Sequence, residues 1–199
     1  MTFPQVDRSY EVDSLYEFVY RAVLAEEALD AMGRVHSENL DEAQIIEALS
    51  FELFDDDILD QVHQMSMVYT AIAAFEVSVR RFIKKVLMDE FGESWWSAGV
   101  SEKIRKFAES RQNEEARVRW HSVRGDDLLD YTELGQLSDI IQKNWAQFEV
   151  YIPRMDWATA IFSTLERSRN VIMHSGVLSL QDIERIGMNI RDWNKQVSL

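Results

Sequence analysis

The chain has 199 residues, 46% of them apolar, and its 35 acidic and 21 basic side chains give a formal charge of −14. With no cysteine it can form no disulfide framework, no thiolate metal site and no thiol nucleophile. Six Trp, six Tyr and ten Phe exclude a disordered chain, while two Pro and seven Gly favour helices over many short strands.

The charge is unevenly placed. Residues 1–60 hold 3 basic and 16 acidic side chains, residues 61–124 hold 11 and 8, and residues 125–199 hold 7 and 11. A value of −14 argues against phosphate contacts only if it is spread over the whole chain. Here nearly all of it belongs to the first 60 residues, so the rest of the chain is free to meet nucleic acid. A division into an acidic N-terminal segment, 1–60, and a second domain, 61–199, is expected. Residues 1–12 are polar and charged, which argues against a signal peptide. The longest nearly apolar run, 67–75, is too short to span a bilayer, so a cytoplasmic protein without membrane contact is expected.

In chain order, Asp13 can cap a helix with Leu15, Val19, Val23 and Leu24 on one stripe and Gly33 after its end. A helix over 40–54 would present Ile45, Ile46, Leu49 and Leu53. The run Asp55-Asp56-Asp57 suits the first turn of a third helix, where the macrodipole is positive; a metal site is the alternative. That helix spans 57–91, is closed by Gly92, and buries Met65, Val68, Ile72, Phe75, Val79, Phe82 and Val86 at three- and four-residue steps. On its flank Arg80/Lys84 and Arg81/Lys85 are i,i+4 pairs, forming either a solvated basic face or one that meets an anion such as RNA.

Residues 93–130 are less regular. Trp95-Trp96 anchor a loop or offer a stacking platform, Ser101 caps a short helix, and 111–127 reads as a mobile basic segment around Trp120 and His121. A helix over 136–148 turns Leu137, Ile140, Ile141 and Trp145 inward. Pro153 interrupts the chain, Asp156 caps a helix over 157–174 that Gly176 ends, and Ser179 with Asp182 opens the last helix. Leu180, Ile183, Ile186, Ile190, Trp193 and Val197 form its stripe. The fold class is therefore all-α.

No zincin spacing, phosphate-binding glycine loop or dinucleotide fingerprint occurs, so neither a metal nor a cofactor is expected. His36 and His63 fall on surface positions. The informative segment is 167–176. The stripe Ala158, Ile161, Leu165 continues to Arg169, where an apolar residue is due. Asn170 and His174 are i,i+4 neighbours, and Arg167 lies on the same line. Taken alone, the residues also fit an arginine that snorkels and a histidine that caps the helix end.

Arg169-Asn170-x-x-x-His174 resembles the R-N-x3-H form of the HEPN superfamily motif, and it stands before a final turn and helix as in that superfamily. The flanking helices are similar to one branch, the HEPN domain of eukaryotic nuclear RNA-surveillance endonucleases and its bacterial relatives. The similar residues are Phe75-Glu76, Arg80-Arg81, Phe82-Ile83, Gly92 and Trp95-Trp96, then Asp130-Tyr131, Gly135, Leu137, Ile140-Ile141 and Asn144-Trp145.

The resemblance covers about 61–197 and implies an up-and-down helical bundle that forms a homodimer across its motif helices. It also implies a metal-independent endoribonuclease of a defence, stress or toxin type. Arg169, Asn170 and His174 would be catalytic, and Arg80, Arg81, Lys84, Lys85 and Arg167 would bind RNA. One departure is Gly176, where toxins paired with a nucleotidyltransferase antitoxin often carry Tyr. The other readings are a non-catalytic HEPN module for nucleotide, RNA or protein assembly, and an acidic helical adaptor. Residues 1–60 are expected to add bundle helices, to mimic RNA over the basic flank, or to hold a protein partner.

Overall fold

The computed structural model describes residues 41–197. The helix expected between Asp13 and Gly33 lies outside them. The chain divides between Leu53 and Phe54 into two compact units.

In the first unit, α1 (Glu42–Ala48) starts from a reciprocal cap. The Asp41 carboxylate accepts from the Gln44 N–H at 2.8 Å, and the Gln44 side chain accepts from the Asp41 N–H at 3.0 Å. A single helix over 40–54 is not formed. Ser50 takes φ 53°, and the chain resumes as a 3-10 turn at Phe51–Leu53. The expected apolar face, Ile45, Ile46, Leu49 and Leu53, is exposed.

The second unit is built on α2 (Asp56–Phe91), whose 36 residues extend for about 54 Å. Its first turn carries Asp56 and Asp57, as the dipole favours, and it stops where Gly92 adopts φ 57°. Along it Met65, Val68, Ile72, Phe75, Val79, Ile83, Val86 and Leu87 are buried. Phe82 is only partly buried; its edge meets Phe148, Tyr151 and Trp193, while Ile83 takes the innermost place.

Two short helices follow, α3 (Trp95–Gly99) and α4 (Glu102–Ala116). The basic stretch expected to be mobile is helical as far as Ala116. The Arg111 guanidinium lies 4.5 Å from the Phe107 ring centroid and donates to Glu133 at 2.8 Å. Arg124 pairs with Glu115, and the Tyr131 hydroxyl donates to the Gly125 carbonyl. These partners lie 4 to 22 residues apart, and most are too distant for local pattern to connect them.

The expected helix over 136–148 is divided into α5 (Leu134–Lys143) and α6 (Trp145–Phe148). Buried Asn144 makes the break, its amide donating to the carbonyls of Gly99 at 2.8 Å and Ile140 at 2.7 Å. Then come α7 (Met155–Met173) and α8 (Leu180–Val197). The Ser179 hydroxyl donates to the Asp182 carboxylate at 2.6 Å and, with Arg185 beside it, holds that carboxyl below its ordinary pKa. Leu180, expected inward, is exposed in the first turn, whereas Ile186 and Trp193 are buried. The unit is an all-α bundle in which α5, α7 and α8 pack along α2 around Ile72, Val79, Leu137, Ile140, Phe162, Leu165 and Trp193. No helix among the described residues is long and apolar enough to cross a membrane.

Candidate functional site

The last turn and a half of α7 carries the motif. Ala158, Ile161, Phe162, Leu165 and Ser168 turn into the core, so Ser168 is buried and Arg169 stands at the edge of the stripe. The Arg169 side chain is one-third exposed and runs toward α2, where its Nε lies 3.5 Å from Oε1 of Glu76. Asn170 and His174 project from another side. With Ser163, Glu166, Arg167 and Val171 they line an open depression of about 500 Å³. The spacing explains the grouping, since 163, 167, 170 and 174 recur at three- and four-residue steps. Arg167, Asn170 and His174 are therefore brought together, and Arg169 is held about 100° round the helix from Asn170. Ser163 and Glu166 escaped the sequence reading; their only signal was helical spacing to Arg167, Asn170 and His174.

The helix end fixes where His174 sits. His174 is the C-cap, Ser175 follows with φ 59°, the N–H of Ser175 donates to the Ile172 carbonyl at 2.9 Å, and the N–H of Gly176 donates to Val171 at 2.8 Å. This pair of bonds is a Schellman closure. The left-handed residue of this closure is Ser175, and Gly176, expected to end the helix, follows it. Gly176 is needed for space: a Cβ there would stand 2.6 Å from Val171 Cγ1 and 2.8 Å from the Val171 carbonyl oxygen. Gly176→Ala is expected to lower stability by about 1–3 kcal/mol through that clash, read as a fall in thermal midpoint. An unchanged midpoint would show that the turn accommodates the methyl group. The imidazole of His174 and the amide of Asn170 are exposed and make no hydrogen bond among the described residues.

The basic flank of α2 does not act as one patch. Arg80 donates through Nε to the Leu129 carbonyl at 3.2 Å and through Nη2 to Thr132 at 2.9 Å and Glu76 at 3.3 Å. Lys84 is paired with Asp127 and lies 5.8 Å from the Trp95 ring centroid. Both serve to fix the loop before α5. Arg81 and Lys85 are exposed and make no ion pair among the described residues. Trp95 is buried and Trp96 packs beside it edge to face, so the pair anchors the turn after α2.

An arginine and a histidine five residues apart on the penultimate helix of a helical bundle, before a turn and a closing helix, define a HEPN-type domain. The family described as Swt1-like HEPN matches residues 70–198, well over half of the chain, and the chain belongs to that family. No curated protein and no solved structure gave a significant match.

Proposed function

We propose that the protein is a metal-independent endoribonuclease that acts as a homodimer in the cytoplasm, in a defence, stress or toxin role. Membership of the HEPN family supports an RNA-related activity. The observation that carries the catalytic reading is the pairing of His174 and Asn170 on one exposed face, without hydrogen-bond partners among the described residues, at a helix end set by backbone bonds.

RNA brings its own nucleophile. His174 removes the ribose 2′-OH proton, the 2′-oxygen attacks phosphorus, and the 5′-oxygen leaves with a proton from a second imidazole. One imidazole cannot take and give in the same step, and a second copy of the α7 end supplies the other. Arg169 stabilises the added charge on the phosphorane-like transition state. Asn170 and Arg167 hold phosphate oxygens, and Arg81 and Lys85 extend the path for the strand. In this reading Arg80 and Lys84 contribute to RNA binding by holding the adjoining loop. The acidic residues 1–60 provide a place for a regulatory protein partner.

The test is cleavage of a panel of RNAs in the presence of chelator. A 2′,3′-cyclic phosphate and a 5′-hydroxyl are the expected ends, and a single 2′-deoxy nucleotide at the cut position should abolish the break. RNA bound but left intact under all conditions would favour the non-catalytic HEPN module instead.

A further inference from the structure

Among the described residues Glu76 is the only charged side chain that is buried, with 8% of the residue exposed. A carboxylate in that setting is costly unless its charge is met and its oxygens are hydrogen-bonded. Glu76 is met from two sides. One turn along α2, Arg80 donates to its Oε2 and is itself fixed by the carbonyls of Leu129 and Thr132. Across the helix interface, Arg169 approaches Oε1 at 3.5 Å. Those two guanidiniums would repel each other without the carboxylate between them.

The two sides differ in one respect. Oε2 has its hydrogen bond, whereas Oε1 is buried and has none. Arg80 serves only Oε2, because its Nε and Nη2 also donate to the carbonyls of Leu129 and Thr132. One oxygen is thus anchored and the other is turned to the motif arginine. A guanidinium has five N–H donors, and a contact through Nε leaves both Nη groups available for a bidentate grip on phosphate. Arg169 is one-third exposed on its side-chain surface and makes no hydrogen bond of its own among the described residues.

We propose that Glu76 is a positioning residue for Arg169. It holds the guanidinium by its Nε edge and leaves the Nη groups free to take a phosphate oxygen beside the Asn170 and His174 face. It also cancels the charge that would otherwise drive Arg169 away from Arg80 into solvent. The chain Leu129 and Thr132 carbonyls, Arg80, Glu76, Arg169 thus ties the loop before α5 to the reacting phosphate. The 3.5 Å contact closes to a hydrogen bond when phosphate binds, as catalytic contacts commonly do.

This inference rests on the ribonuclease reading, so its test has an arm that does not. Cleavage and thermal unfolding are measured for the parent, Glu76→Gln, Arg169→Ala and the double variant. In parallel, binding of a 2′-O-methyl oligonucleotide, which cannot be cleaved, is measured for the same four proteins. Glu76→Gln is expected to lower kcat/KM about 100-fold, with about 10-fold of the loss in KM and the rest in kcat. It should weaken oligonucleotide binding about 10-fold when Arg169 is present and not at all when Arg169 is absent. Glu76→Asp, which keeps the charge on a shorter side chain, should recover part of the rate and carries the comparison if Glu76→Gln does not fold.

A parent that binds but does not cleave defeats the ribonuclease reading and leaves the binding cycle to decide the role of Glu76. Equal binding by parent and Glu76→Gln, or equal loss with and without Arg169, overturns the positioning role. A parent that neither cleaves nor binds overturns both.

Discussion

Replacing His174 with alanine is expected to reduce RNA cleavage by about two to four orders of magnitude while leaving the thermal unfolding midpoint unchanged. The first half follows from the role of the imidazole. A ribose 2′-OH is a poor nucleophile until its proton is taken, and the 5′-alkoxide is a poor leaving group until it is protonated. Removing the imidazole from the exposed α7 face of each copy removes both contributions. The second half follows from geometry. The His174 ring is exposed and has no hydrogen-bond partner among the described residues, and its backbone closure of α7 does not involve the side chain. Exposed substitutions of this kind change stability by less than about 0.5 kcal/mol.

Arg169→Ala should lower cleavage to a similar extent but differ in two other readouts. It removes a phosphate ligand, so binding of an uncleavable RNA weakens. It also leaves Glu76 with Arg80 as its one cationic neighbour among the described residues, so the unfolding midpoint falls. Retention of full cleavage by His174→Ala would remove His174 from the catalytic machinery and place the activity on other residues.

Much of the bundle was legible because helices buried on one side must repeat at three and four residues. The stripe of α2 from Met65 to Val86 shows this, as do Ala158, Ile161 and Leu165 on α7. The same rule exposed Arg169 as a break in a stripe. Its partner follows from the same rule. Glu76 stands four residues after Ile72 and three before Val79, on the buried face of α2. An acidic break in one core stripe and a basic break in another are each other's solution, because neither charge can be buried alone.

What stayed hidden depended on partners far away in the chain. Arg80 and Lys84 look equivalent to Arg81 and Lys85 by spacing. They differ because they face carbonyls and a carboxylate 43 to 52 residues further on. Asn144 splits a strong helical pattern for the same reason, through a bond to the Gly99 carbonyl. Composition marks Gly176 as the helix end, whereas Ser175 takes the left-handed turn and Gly176 is held to its identity by the nearby Val171 carbonyl.

Trp193→Ala should produce the largest loss of stability of any single replacement considered, about 3–5 kcal/mol. Trp193 is 1% exposed and is the point where three helices meet. Its ring lies 5.7 Å from Phe75 and 6.0 Å from Phe82 on α2, and 5.1 Å from Phe162 on α7; Trp157, also on α7, stacks on it at 5.9 Å. Alanine removes the side chain that all four rings pack against, and rigid helices cannot close the gap. Set against a total stability of about 5–15 kcal/mol, the loss corresponds to a fall in midpoint of roughly 6–20 °C.

Trp193→Phe, which keeps an aromatic ring in the gap, should lose less. The effect on the site is expected to be smaller than the effect on stability. The position of His174 is set at the far end of α7 by the Schellman bonds, which Trp193 does not touch. Cleavage per folded molecule, measured well below the transition, should therefore stay near that of the parent. A Trp193→Ala protein that unfolds like the parent would mean that α8 is not clamped through this ring. One that is stable but inactive would show that the closing helix shapes the site directly.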